Sequence, residues 1–282
     1  MKKVLIFIAI LDALLWAEIS GFRNVSGAEI YFLDVGQGDS SLIVFPAETS
    51  GRSGIKLLID GGPMNGRVRK NLEGILPATD RYVDLIMISH PQLDHFGGLL
   101  EIIENYRVGA VLTSAEEGTS EAWKEFERLR KSKGIPRVKI SEGDRVINGN
   151  SGFSVFSPDS FSPKDMNDSS ISGILEISGV RTFFGGDIGS DKEAELARRY
   201  DLDVDILKVS HHGSKFSSAS EFLREASPLV SVIEVGKNSY GHPTKEAVSR
   251  LLSVGTKIFR TDLAGFVRIS IEDGKLQVYT QK

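Results

Sequence analysis

Apolar residues along this chain come in short, nearly unbroken runs that end in glycine, proline, serine or an acid. AEIYFLDVG, SSLIVFP and IKLLIDGG predict three short strands parted by turn formers. Asn65 to Leu76 carries helical spacing and stops at Pro77. VDLIMISH is a continuous apolar strand of the kind buried on both faces. A helix from about His95 to Asn105 and a strand at VGAVLTS come next. SEAWKEFERLRKSKG has the stripe of an amphipathic helix, with Ser120 as its cap and Gly134 as its stop. Residues 138 to 170 are rich in turn formers and hold two short strand candidates.

The second half alternates. GILEISG and RTFFGGD predict a hairpin about Ser178 and Gly179. Helix 190–200, strand VDILKVSH, helix 218–227, strand LVSVIEVG, helix 243–254 and strand TKIFRT follow. GFVRISI and LQVYT form a last hairpin turned at Asp273 and Gly274. No linker or low-complexity tract breaks the pattern, so residues 29–282 read as one domain. One arrangement recurs: LIDGG, IMISH, FFGGD and LKVSH each end an apolar strand on an acid or a histidine. Sites built at the carboxyl ends of strands are how α/β proteins gather ligands.

The N-terminus differs in kind. In MKKVLIFIAILDALLWAEIS two lysines precede an apolar run from Val4 to Ala17, broken by Asp12. The run is short of the roughly 20 residues that cross a bilayer, so residues 1–28 read as a signal peptide. Ser26, Gly27 and Ala28 offer small residues for a cut before Glu29. An uncleaved membrane anchor is the alternative, and a buried N-terminal helix is the plain structural one. A signal peptide or an anchor places the working part outside the cytoplasm, secreted or tethered to the outer face of the membrane, with membrane contact confined to this segment.

A net charge of −4 argues against broad wrapping of nucleic acid and leaves room for a local phosphate pocket. With no cysteine, disulfides, zinc fingers and thiol nucleophiles are excluded. The five histidines, His90, His95, His211, His212 and His242, all follow strands and sit beside Gly, Pro or Asp rather than on a helix face. A lone histidine is more often structural; five so placed point to a metal site. Imidazole and carboxylate without thiolate suit zinc, manganese or iron.

In SHPQLDHFGG, His90 ends a strand, Pro91 forces a turn, and Asp94 and His95 begin a helix. Such a loop aims His90 at one metal and Asp94 with His95 at a neighbour. Two ions about 3.5–4 Å apart clamp a phosphate or carbonyl oxygen. Asp187, off another strand, is placed to bridge them. KVSHHGSK supplies a further ligand from His211 or His212; His212 stands further past the strand end.

The order HxxxDH, GD, HHGS resembles the metallo-β-lactamase fold superfamily. FLDVGQGDSSLIV, LLIDGG, SHPQLDHFGGL, NDSSISGILEISGVRTFFGGDI, LKVSHHGSKFSSASEFL and VGKNSYGHPTKEAV resemble, in order, blocks of the ComEC-type competence hydrolase domain, over roughly residues 29 to 270. The resemblance implies an α/β or α+β fold, a four-layer αββα sandwich. It also implies one or two divalent ions, zinc or manganese, and phosphodiesterase or nuclease activity. In bacteria that domain is usually joined to a DNA-uptake channel, which here reads as a separate partner. By position, His90, Asp94, His95, Asp187 and His212 match the expected ligands, and Asp60 matches a buried aspartate that orients the ligand loop. Asp34 and Asp39 lie in a family block, though DVGQGD reads equally as a turn between strands.

Two departures stand out. Position 92, histidine in the superfamily and usually an acid in the ComEC-type group, is Gln92. The mid-chain histidine ligand has no counterpart; Asn167 and Asp168 are the nearest substitutes. Asp94, His95, Asp187 and His212 therefore form the better-supplied site.

The residues around the ligands favour phosphate. Ser214, Lys215, Ser217 and Ser218 adjoin His212 and precede a predicted helix, a natural anion site. Lys237, Tyr240 and His242 read as an opposite wall. Ordinary caps and turns explain the serines equally simply. The expected chemistry is attack of water on a phosphodiester, with Asp94 and Asp187 holding the metal, Lys215 meeting negative charge, and His242 or a water protonating the leaving oxygen. DNA is the expected substrate. A lactonase or thioesterase of small molecules, and a DNA-binding module that does not cut, are the alternatives.

Overall fold

The computed structural model describes residues 27–46, 54–159 and 166–282. The expected signal peptide or anchor falls outside the described residues, apart from Gly27 and Ala28. Among those described, no helix is long and apolar enough to cross a membrane.

Two sheets lie face to face. The first contains β1 (Ala28–Phe32), β2 (Ser41–Val44), β3 (Lys56–Ile59), β4 (Tyr82–Ile88), β5 (Arg107–Thr113) and β6 (Arg137–Lys139), with the hairpin β14 (Val267–Glu272) and β15 (Lys275–Thr280) at its edge. Its order is β15-β14-β1-β2-β3-β4-β5-β6. The second contains β7 (Arg145–Asn148), β8 (Ser151–Ser157), β9 (Ser172–Ile177), β10 (Val180–Phe184), β11 (Ile206–Lys208), β12 (Val230–Ile233) and β13 (Lys257–Arg260). Its order is β13-β12-β11-β10-β9-β8-β7.

Both sheets are covered on both faces, which is why their strands read as unbroken apolar runs. Ile30 and Phe32 of β1 point into the core between the sheets, where Phe32 lies 6.1 Å from Phe184 of β10. Tyr31 and the following Leu33 point the other way, under α1 (Arg67–Ile75), α2 (Leu93–Phe96), α3 (Leu99–Asn105) and α4 (Glu121–Ser132). The second sheet presents Phe183, Leu207 and Ile233 to α5 (Ser190–Arg199), α6 (Ser220–Ala226) and α7 (Lys245–Ser253). A single turn, α8 (Thr261–Ala264), follows β13. The result is the expected four-layer αββα sandwich.

Local expectations are met at the hairpins. Val180 pairs with Ile177 across Ser178 and Gly179, and Glu272 pairs with Lys275 across Asp273 and Gly274. Ser120 caps α4 by accepting from the Trp123 N–H at 3.2 Å. One expectation changes. The helix expected from His95 to Asn105 is broken into α2 and α3 at Gly97 and Gly98, because the chain there packs against the end of β3. A Cβ on Gly98 would stand 2.2 Å from the Gly61 carbonyl oxygen. The stretch from 138 to 170 carries two short strands, β7 and β8, as its composition suggests, after the end of β6.

Candidate metal centre

Each contributing strand ends at the same rim. β3 delivers Asp60, β4 delivers Ser89 and His90, α2 carries Asp94 and His95, and β10 leads through two glycines to Asp187. After β11 the chain turns tightly at Ser210–Gly213, with His211 and His212 both left-handed at φ 52° and 53°. That conformation costs about 1–2 kcal/mol per non-glycine residue, strain of a kind found at functional sites.

The side chains converge. His95 Nε2 lies 3.4 Å from Asp187 Oδ2, and His212 Nε2 lies 3.7 Å from both Asp94 Oδ2 and Asp187 Oδ2. The His90 and His95 rings are 4.1 Å apart. Donors about 2.0–2.1 Å from a tetrahedral ion stand about 3.3 Å from one another, so this spacing suits an ion at their centre. His90 Nε2, His95 Nε2, His212 Nε2 and Asp187 Oδ1 are buried and have no hydrogen-bond partner among the described residues. Orphaned polar atoms facing one point are costly unless something binds them. His90, His95 and Asp187 form one candidate donor group, and Asp94, His95 and His212 another. The residues present therefore fit a divalent ion.

The electrostatics agree. Burial disfavours the His95 imidazolium, yet Asp187 and Asp60 outweigh it and hold its pKa well above the usual value. His212 is likewise penalised by burial but raised to about 10 by Asp187 and Asp39. His90, buried and facing His95, falls to about 3. The cluster thus attracts positive charge at the His95 and His212 side.

A further layer holds the rings. Asp60 Oδ2 accepts from His95 Nδ1 at 2.9 Å and from the Ser89 hydroxyl at 2.6 Å, while Asp60 Oδ1 accepts from the Ser89 N–H at 2.8 Å. His212 Nδ1 lies 3.0 Å from Asp39 Oδ1 and 3.0 Å from the Glu234 carbonyl oxygen. Lys208 donates to Asp39, and Glu234 accepts from the Ser40 N–H at 3.2 Å. Sequence reasoning passed over Lys208 and Glu234. Their signal was a charge inside an apolar strand, in DILKVSH and SVIEVG, where a buried ion needs a partner. Asp34 and Asp39 part company: Asp34 faces Arg67 near the surface at 2.9 Å, whereas Asp39 is buried beneath the cluster.

Other expected residues are placed differently. His212 joins the candidate donor groups and His211 does not; His211 is 28% exposed, with Nε2 3.9 Å from Asp187 Oδ2. Ser214, Ser217 and Ser218 are buried rather than lining an anion site. Ser217 Oγ donates to the Ser210 carbonyl, Ser214 Oγ accepts from the Phe216 N–H, and α6 starts later, without a side-chain cap. Arg250 explains this turn-in: it donates to the carbonyls of Lys215, Ser217 and Ser218 and pulls the loop against α7. Lys215 is exposed with its amine 4.9 Å from the Phe216 ring centre. Lys237 is exposed as well. Tyr240 is exposed, 5.8 Å from the half-buried His242 ring, which stands 5.7 Å from His211. Gln92 donates to Asn167 Oδ1 at 2.6 Å; Asp168, next to it, is half-buried.

Residues 33–236 match the family model described as metallo-beta-lactamase superfamily. The chain belongs to the metallo-β-lactamase superfamily. Its competence-protein relatives include "ComE operon protein 3" of Bacillus subtilis, 25% identical over 90% of this chain and 34% of that protein. "Competence protein ComA" of Neisseria gonorrhoeae is 28% identical over 89% of this chain and 34% of that protein. The chain spans about a third of the length of these relatives. Among solved structures, the metallo-β-lactamase fold protein YhfI of Bacillus subtilis superposes with a TM-score of 0.57 at 12% identity, over 86% of this chain and 99% of that one. A diphosphatase of the PhnP family gives 0.52 at 14%, over 87% and 98%. At such identities the structures speak to the fold alone. A metallo-β-lactamase fold of this kind is that of a metal-dependent hydrolase and takes one or two ions, which accords with the donor groups above.

Proposed function

We propose that this chain of the metallo-β-lactamase superfamily is a metal-dependent phosphodiesterase that cuts DNA outside the cytoplasm, in association with DNA uptake. The observation that carries the reading is the chain of short approaches linking Asp94, His212, Asp187 and His95, 3.4 to 3.7 Å apart, with His95 Nε2, His212 Nε2 and Asp187 Oδ1 lacking hydrogen-bond partners among the described residues. The competence relatives favour DNA as the substrate.

A zinc or manganese ion held by these four residues would supply Lewis acidity at a phosphoryl oxygen and an acidified water. The chain's own residues do the rest. Asp60 and Asp39 keep His95 and His212 turned with Nε2 inward. Lys215 and Lys237 are exposed and offer screened positive charge to a backbone phosphate. Burial, with His211 and His212 nearby, lowers the His242 pKa below the usual histidine value. At neutral pH that ring is uncharged, so it orients substrate by a hydrogen bond, and the leaving oxygen takes its proton from water.

The deciding experiment is cleavage of single- and double-stranded DNA by the purified chain with Mn²⁺, Zn²⁺ or a chelator, with Asp94→Ala as control. Metal-dependent cutting that the variant loses is the expected result. A folded, metal-loaded protein that cuts neither substrate would sink the nuclease reading and favour small esters or a binding role.

A further inference from the structure

We infer that the two metal positions of this chain are unequal: it retains one divalent ion, between Asp94, His95, Asp187 and His212, and holds a second beside His90 at least about tenfold more weakly. The inference goes beyond the phosphodiesterase reading and does not depend on it.

The inner donors are the first reason. The Asp94 side offers one carboxylate and two imidazoles as a donor group, Asp94, His95 and His212, with Asp187 Oδ2 3.4 Å from His95 Nε2 and 3.7 Å from His212 Nε2. His95 has a single free nitrogen, because its Nδ1 is engaged by Asp60, so it serves only one ion. Asp187 turns Oδ2 toward His95 and His212, and its Oδ1 has no hydrogen-bond partner among the described residues. Whichever ion His95 serves, Asp94 and His212 are the Asp94 side's own, whereas in its donor group the His90 side adds His90 alone to the shared His95 and Asp187. The positions where the resemblance expects further ligands carry two neutral amides, Gln92 and Asn167. These hydrogen-bond each other at 2.6 Å, which occupies the Asn167 oxygen. An ion entering there must break that bond and gains no charge in return.

The supporting shell repeats the imbalance. Both imidazoles of the strong side have a carboxylate behind them, Asp60 at 2.9 Å from His95 Nδ1 and Asp39 at 3.0 Å from His212 Nδ1. A carboxylate there fixes the tautomer and makes the ring a better donor, an effect commonly about 10–100-fold in metal affinity. His90 Nδ1 instead meets two hydroxyls, Ser89 at 3.1 Å and Ser170 at 3.3 Å. The Ser89 hydroxyl gives its one proton to Asp60, so it can only accept from His90 Nδ1, and neither neutral hydroxyl places negative charge behind the ring.

The test is a metal count. The full chain is loaded with excess Zn²⁺, desalted, and its zinc measured by inductively coupled plasma mass spectrometry, with folding followed by circular dichroism. About one equivalent is expected in the native chain and in His90→Ala, and about none in Asp94→Ala or His212→Ala. Gln92→Asp, which turns the amide into a carboxylate, is expected to raise the count to about two. Two ions retained by the native chain and released together by a competing chelator would overturn the inference, as would a count of none. Loss of zinc in His90→Ala with retention in Asp94→Ala would assign the ion to the wrong side and overturn it too. Should an alanine variant unfold, chelator competition on the native chain and the Gln92→Asp count still decide: a single release step for two ions, or no gain in the variant, defeats the proposal. No DNA is involved, so failure to cleave leaves the count intact.

Discussion

Lys208 ends β11 fully buried, with its amine against Asp39, and that pair stands directly behind His212. Neither charge has water to fall back on. Replacing Lys208 with Met leaves the Asp39 carboxylate without its main counter-charge, which costs about 3–5 kcal/mol in buried pairs of this kind. Asp39→Asn in the same chain is expected to recover part of that loss, so a double-mutant cycle in urea should show strong coupling. Additive losses would mean that the two groups do not support each other. A second buried group predicts a pH effect. Burial lifts the Glu193 carboxyl from 4.5 to about 7, only partly offset by Ser210 and the amides of Ala219 and Ser218. A folded-state pKa above the unfolded one gives stability that is complete below about 4.5 and lost as pH rises to about 7. Glu193→Gln is therefore expected to flatten thermal stability across that window and to exceed the native chain at pH 8 by up to about 3 kcal/mol. Identical pH profiles for the two proteins would remove Glu193 as the cause.

Between elements, the loop from β1 to β2 crosses the start of α2 closely enough to matter for Asp94. Gly38 has φ 141°, and a Cβ there would stand 2.2 Å from the Asp94 carbonyl oxygen and 2.9 Å from Pro63 Cδ. The same crossing lets the Asp39 N–H reach the Asp94 carbonyl at 3.3 Å. Gly38→Ala must move either the loop or α2, and Asp94 moves with α2. We expect its zinc affinity, measured against a chromophoric chelator, to fall by about tenfold or more, in the range seen when ligand support is lost. Unchanged affinity would show that the loop yields and α2 does not. What the sequence made readable at this scale was local. Asp273 and Gly274 carry φ 50° and 71°, the left-handed pair that a two-residue hairpin loop needs. Ser120 and Gly134 bracket α4 for equally local reasons. The break between α2 and α3 was not readable, since its cause is the Gly61 carbonyl of a different element.

At the scale of the whole molecule, the candidate ligands come from both sheets. Asp94 and His95 belong to the first sheet and its helices, whereas Asp187 and His212 follow β10 and β11 of the second. An ion held by residues from both would tie the halves together and bind only the folded chain. Zinc at about 100 times its dissociation constant should stabilise by about 2.7 kcal/mol, raising Tm by several degrees for a chain of this size. A chelator should reverse the rise in differential scanning fluorimetry, and a Tm indifferent to both would argue against a preformed site.

The sequence alone determined the strand and helix order and the hairpins, implied the sandwich architecture through its family resemblance, and pointed to the residues that could supply a metal centre. Those features rest on short-range periodicity, turn chemistry and a run of motifs. It left His211 and His212 open, read Ser214, Ser217 and Ser218 as facing substrate, and gave no role to Lys208 or Glu234. Only the tertiary structure decided these. A left-handed turn sets which histidine points inward, Arg250 from a later helix draws the serine loop shut, and Asp39 meets Lys208 across 169 residues of chain. Such contacts depend on which strand ends the two sheets bring to one rim, and no spacing along the chain encodes that.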